Sequence, residues 1–425
     1  MTLATAPEGD LAAGAARVGW LDGARGVAIL AVMVFHFVRI AGPSEPGGLA
    51  AWIAGVSGAG WVGVDLFFVL SGFLITGILV DAKSGRKDYF RNFYARRFLR
   101  IFPLYYGFLA LVLVALPLIE PIGSREYQTL QQSQGWYWTY LTNVWIALRD
   151  GRSVDLYGMG HLWSLAVEEQ FYVCWPFVVL LCSRRALMYV CGGAIAGSFV
   201  LRLVLDQHGV DPFVGYTLTP TRVDALAAGA LVALALRDAG DRRAAARLAG
   251  PVAAASAAAV AAVVVATGGF SDLDGRVIVW GLTPIALLFA SVMTMQLTAA
   301  SARPVARWCS VAALRFLGRY SYALYIVHWP IATWLAWQIP AHAMLPAFAG
   351  SRLLSALLFV ALAFVLSMTA AWLSWHLYEK QFLKLKRYFP YARVRVVTRV
   401  EADAGRPAPT PGELASNAGT EPRAA

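Results

Sequence analysis

The stretch Ala24–Ile40, ARGVAILAVMVFHFVRI, is apolar apart from Arg25, His36 and Arg39. Arg25 and His36 are eleven residues apart. At 100° per residue, eleven steps land about 20° from whole turns, so both side chains share one helix face. With a rise of ~1.5 Å per residue they lie ~16 Å apart along the axis, about half the hydrocarbon core of a bilayer. Arg25 is thereby placed near one membrane surface and His36 at or past the midplane. Two readings stand for the pair. An ionisable residue at that depth is costly and marks a functional site. The plainer reading has Arg25 snorkelling to the headgroups and His36 packing as a hydrogen-bonded residue.

The rest of the chain has the composition of a polytopic membrane protein. Its 425 residues are 59% hydrophobic and only 14% charged, with a mean hydropathy of +0.58, far from a soluble domain. Ten apolar runs of crossing length follow one another, at about 23–41, 60–80, 101–119, 162–182, 186–205, 218–236, 249–267, 277–297, 319–338 and 353–376. An all-α bundle of about ten transmembrane helices is the expected fold. When the runs are threaded alternately, one set of loops collects Lys83, Arg91, Arg96, Arg97 and Arg100, then Arg184 and Arg185, then Arg237, Arg242, Arg243 and Arg247, then Arg303 and Arg307. The opposite set holds chiefly Arg125, Arg149, Arg152, Arg276 and Arg352. The positive-inside rule places both termini in the cytoplasm. Residues 1–20 are expected to form a tail without a signal peptide, 21–388 the membrane domain, and 389–425 a disordered cytoplasmic tail rich in Pro, Ala and Gly. The aromatic run Trp136–Leu141 lies in a segment, 120–160, that suits an interfacial or re-entrant element. The four cysteines show no metal spacing and imply no disulfide framework.

Polar residues recur inside the apolar runs at helical spacing. In GVDLFFVLSGFLIT (63–76), Asp65 suits a partner on another helix, or a water-facing helix end, while Gly72 suits close helix approach. In YARRFLRIFPLYY (94–106), Arg96 and Arg100 share a face. Guanidiniums there either anchor the loop or bind a diphosphate bidentately. In HLWSLAVEEQFY (161–172), His161, Ser164 and Glu168 line one face, with Glu169 beside them. Arg222 and Asp224 open a later span and point to different neighbours. Ser321, Tyr325 and His328 share a face ahead of Pro330. No nucleotide-binding loop, zinc motif or nucleophile elbow is present, and the scattered basic loops argue against a nucleic-acid partner.

Taken together, RGVAILAVMVFHF, GVDLFFVLSGFLIT, RRFLRIFPLYY, HLWSLAVEEQFY, TRVDALAAGAL and GRYSYALYIVHWP resemble, in order, the acyltransferase type 3 family of integral membrane acyltransferases, over about residues 20–380. The resemblance implies transfer of an acyl group, usually acetyl, from acyl-CoA to a hydroxyl. The acceptor would be an envelope glycan or exported glycoside, or alternatively a small secondary metabolite or a lipid. Some relatives carry an esterase-like domain after the bundle, and none is expected here. By position, Arg25 and His36 match the family's paired functional residues, Arg96 and Arg100 its arginine motif, and Glu168 its central carboxylate. Arg96, Arg97 and Arg100 are then expected to hold CoA. His161, Ser164, Arg222, Asp224, Tyr325 and His328 are expected to bind substrate.

A mechanism follows from depth. His36 takes the acceptor proton as general base, and Glu168 or Asp65 orients its ring or stabilises its cation. A covalent acyl-histidine, or an acyl-serine on Ser164, is the alternative. No metal is required. The setting is the inner (cytoplasmic) membrane, with the lipid bilayer, acyl-CoA and a glycan as partners. The competing class is a proton-coupled transporter or flippase, which the lack of an internal repeat disfavours.

Overall fold

The computed structural model describes residues 8–42, 48–83, 88–119, 125–149, 156–299, 304–339 and 352–390, and every regular element among them is a helix. Ten long helices coincide with the ten apolar runs. They are α1 (Glu8–Ala41), α2 (Gly63–Ala82), α3 (Tyr89–Ala110), α4 (Trp163–Leu181) and α5 (Arg184–Gln207), then α6 (Thr219–Ala235), α7 (Ala239–Thr267), α8 (Leu282–Thr298), α9 (Ala312–Gln338) and α10 (Arg352–Ser374). Helices are the outcome that hydrocarbon permits, since each satisfies its own backbone groups. Among the described residues, nine helices are long and apolar enough to cross a membrane, all of these except α9. At 27 residues α9 has the length, about 40 Å at 1.5 Å per residue. Its arginines, tyrosines and His328 make it less apolar than the others. The chain is an all-α polytopic membrane bundle.

Several boundaries have a local cause. The Ser183 hydroxyl accepts from the Ala186 N–H and starts α5, and the Asp238 carboxylate accepts from Gly240 and Asp241 N–H groups and starts α7. Helix α1 begins at Glu8, so part of the expected N-terminal tail is a helical extension. The 120–160 segment contains helices Arg125–Trp138 and Thr142–Leu148, both too short to cross. Arg152, His342 and the tail from residue 391 lie outside the described residues.

Burial sorts the helices into a centre and a rim. The span Pro212–Ala235 is 72% buried, whereas Arg184–Gln207 and Ala239–Thr267 are 22% and 17% buried. Helices α5 and α7 therefore present their apolar side chains outward, to lipid. At the centre, α1 packs along α9 and α6 along α2. Gly72 faces the Leu226 carbonyl and Gly229 faces the Val69 carbonyl, so closely that a Cβ on either would collide with backbone. Two buried ion pairs hold α6 to its neighbours: Arg222 Nη2 to Asp65 Oδ1 on α2, and Arg202 Nη2 on α5 to Asp224 Oδ2, each at 2.9 Å. Removing one partner of such a pair costs about 3–5 kcal/mol, because an unpaired charge is left behind.

Candidate active site

Helices α1, α2, α3, α4 and α9 enclose a cavity of about 100 Å³ at the end of the bundle where Arg97 and Arg100 enter. Arg97 and Arg100, three apart on α3, both line it, and Arg25 faces them from α1. The carboxylates of Glu168 and Glu169 come from α4. Glu168 is held from two sides: Ser71 Oγ donates to Oε1 at 2.9 Å, and Tyr172 Oη, one turn on, donates to Oε2 at 3.0 Å. The Arg97 guanidinium lies over the Tyr172 ring, 5.6 Å from its centroid, and its buried Nε has no hydrogen-bond partner. Three guanidiniums converging on so small a space favour an anion between them.

A second cavity, about 440 Å³, lies further along α1. His36, Arg39 and His161 line it, with Trp61, Trp163, Tyr216 and Trp329 as aromatic walls. The His36 ring stacks on Trp329, centroids 3.8 Å apart. Arg39 Nη1 reaches Asp272 Oδ2 at 3.3 Å, an ion pair between the end of α1 and the loop after α7. Burial pushes the Asp272 carboxyl above its ordinary range, and the facing Arg39 pulls it back. Among the described residues, Val64 and Tyr325 alone line both cavities. Tyr325 Oη shares a hydrogen bond of 2.5 Å with Ser164 Oγ, and both hydroxyls reach the His161 carbonyl, at 3.1 and 3.2 Å. This hydroxyl pair is the wall where the two spaces abut.

The structure separates residues that spacing groups together. Arg25 and His36 share α1 but open on different cavities. Glu168 and Asp65 do not orient His36: Glu168 is bonded in the first cavity, and Asp65 is paired with Arg222. The partner of His36 is His328, Nδ1 to Nε2 at 2.8 Å. Arg96 is not part of the cavity, because its Nη1 donates to the Lys386 and Phe389 carbonyls at 3.1 and 2.9 Å. The inward pair is Arg97 and Arg100. Arg222 and Asp224 line neither cavity and serve the ion pairs of the core. Arg222 also backs the aromatic wall, 5.0 Å from the Tyr216 centroid and 5.7 Å from that of Trp163. Ser164, Tyr325 and His161 do line the cavities, whereas His328 is fully buried behind His36.

Sequence reasoning missed Arg39, Asp272 and Trp329 as cavity residues. Arg39 follows His36 by three residues and Trp329 adjoins His328, so both carried a signal; Asp272 sits in a loop and carried none. Among the described residues, no group of three or more His, Cys, Asp or Glu is placed to hold a metal ion.

The family described as an acyltransferase domain matches residues 18–376. The chain is 28% identical over 330 residues to the peptidoglycan O-acetyltransferase OatA of Listeria monocytogenes, covering 74% of this chain and 49% of that protein. It is 31% identical over 327 residues to a putative peptidoglycan O-acetyltransferase of Bacillus subtilis, covering 73% and 48%. A putative O-acetyltransferase of Staphylococcus aureus is 27% identical over 228 residues, covering 50% and 34%. The chain thus spans about half the length of the first two relatives. No solved structure matches it.

Proposed function

The chain belongs to the acyltransferase type 3 family, and from that premise we propose that it moves an acyl group, acetyl in the simplest case, from acyl-CoA to a hydroxyl of a cell-envelope glycan. The observation that carries this reading is the pair of cavities abutting at Tyr325, one lined by arginines and one by His36. Guanidinium forks suit the phosphates of CoA, so the donor enters at the Arg97 and Arg100 end. The basic loops support a cytoplasmic position for that end, where CoA is held. The larger cavity, with its aromatic walls, has the size of a small-ligand site and takes the acceptor from the opposite side. The names of two relatives, a peptidoglycan O-acetyltransferase and a putative one, support a glycan acceptor.

Transfer then takes place at the wall. His36 accepts the hydroxyl proton, the oxygen bonds to the thioester carbonyl carbon, and the carbon–sulfur bond breaks. The proton passes to the sulfur, giving an ester and the CoA thiol. Trp329, stacked on His36, stabilises the imidazolium that forms in between. Arg25 lies with the donor arginines and acts there on charge, not on the His36 ring.

The test is purified protein in nanodiscs with labelled acetyl-CoA and soluble peptidoglycan fragments. Label released from the glycan by mild alkali is the expected result. Intact acetyl-CoA, with no transfer to any hydroxyl acceptor, overturns the proposal.

A further inference from the structure

His36 has two ring nitrogens, and only one of them can take a proton from an acceptor. His328 decides which. Its Nδ1 lies 2.9 Å from the Leu324 carbonyl and 2.8 Å from the Tyr325 carbonyl, one turn back on α9. Carbonyl oxygens only accept, so Nδ1 of His328 carries a hydrogen. His328 is fully buried, and among the described residues no hydrogen bond joins it to a carboxylate, so a lone cation there is costly. Its Nε2 is therefore a lone pair, and that atom meets His36 Nδ1 at 2.8 Å. The contact is a hydrogen bond only if His36 Nδ1 is the donor. The remaining His36 nitrogen, Nε2, is left with its lone pair.

We infer that His328 is a positioning residue that fixes the His36 tautomer and so makes Nε2 the proton-accepting atom. A backbone-anchored imidazole takes the place that a carboxylate fills in a hydrolase triad. The parallel is in tautomer control alone, because a neutral imidazole offers a lone pair and no countercharge. The Tyr325 carbonyl also accepts from His161 Nε2 at 2.7 Å, so one carbonyl anchors two of the three clustered histidines. His328 acts through His36 and lines neither cavity.

The inference rests on His36 being the base, and the test keeps the two apart. Nitrogen-15 NMR of protein labelled at its 6 histidines, with His36→Ala used for assignment, reads the tautomer without any turnover. Wild type is expected to show Nδ1–H on both His36 and His328. In His328→Leu, the His36 signals should shift toward a tautomer mixture, and kcat should fall about 10–100-fold with the KM for acyl-CoA unchanged. His328→Gln, whose amide can donate to the carbonyls and accept from His36, should recover most of both. A wild-type His36 protonated on Nε2 overturns the inference, and that spectrum needs no variant to fold. Unchanged kcat in His328→Leu with a shifted tautomer overturns the role of His36 as base instead.

Discussion

The two cavities on either side of Tyr325 are built from opposite materials. The first is small and charged: three arginines and two glutamates, with Glu168 held by Ser71 and Tyr172. The second is over four times larger and rich in aromatic rings, with His36 as its reactive group and an ion pair at Arg39 and Asp272. A charged slot suits a phosphorylated donor that binds through electrostatics. A broad aromatic space suits a ligand recognised by shape and a few hydrogen bonds. The difference implies that damage to one cavity should change chemistry and damage to the other should change donor affinity.

The largest expected effect is on the aromatic side. His36→Ala should lower transfer by about 10²–10⁴-fold, the usual loss with a general base, while acyl-CoA still binds. Radiolabelled transfer and equilibrium binding on the same preparation separate these two outcomes. Loss of acyl-CoA binding in that variant would merge the two cavities into one site.

A smaller effect is expected across the wall. Arg100→Ala should raise the KM for acyl-CoA by about 10–100-fold, matching a lost charge-assisted hydrogen bond of about 1.5–3 kcal/mol. Arg100→Lys should recover part of it, since an ammonium lacks the fork. Arg96→Ala is the contrast: its guanidinium is bonded to the Lys386 and Phe389 carbonyls. That change should lower thermal stability and leave the KM within about two-fold. Steady-state kinetics in nanodiscs decide between the arginines.

Legibility in the sequence follows the same division. Long apolar runs exposed the helices directly, because the bilayer leaves few alternatives to a helix. Helical spacing also grouped Ser164 with Glu168 and Ser321 with Tyr325, and all four line the first cavity. Spacing could not choose among Arg96, Arg97 and Arg100 of α3: the first two both sit within about one turn of Arg100. The choice is made by two carbonyls near residue 388, which draw Arg96 away. His36 raised the same difficulty. A carboxylate partner is the common solution, but Asp65 is paired with Arg222 and Glu168 is bonded to Ser71 and Tyr172, and the partner of His36 lies 292 residues away.

The smallest effect concerns Asp272. Burial raises its folded value above the ordinary carboxylate range. Ionising it therefore costs stability, and the cost grows as pH rises from about 4 toward that folded value. Asp272→Asn should remove this fall in stability. Arg39 is 47% exposed at the side chain, so the ion pair lost in the variant is itself worth about 1 kcal/mol or less. Thermal melts of both proteins between about pH 4 and 7 give the slope. An identical slope in the variant would show that Asp272 is not the group responsible.

Entry from opposite faces is the claim on which the contrast between the cavities depends, and oriented proteoliposomes test it most directly. Labelled acetyl-CoA should support transfer to a soluble glycan acceptor only when supplied on the face bearing Lys83 and Arg100, with the acceptor on the other face. Turnover with acetyl-CoA supplied on the His36 side would contradict the account.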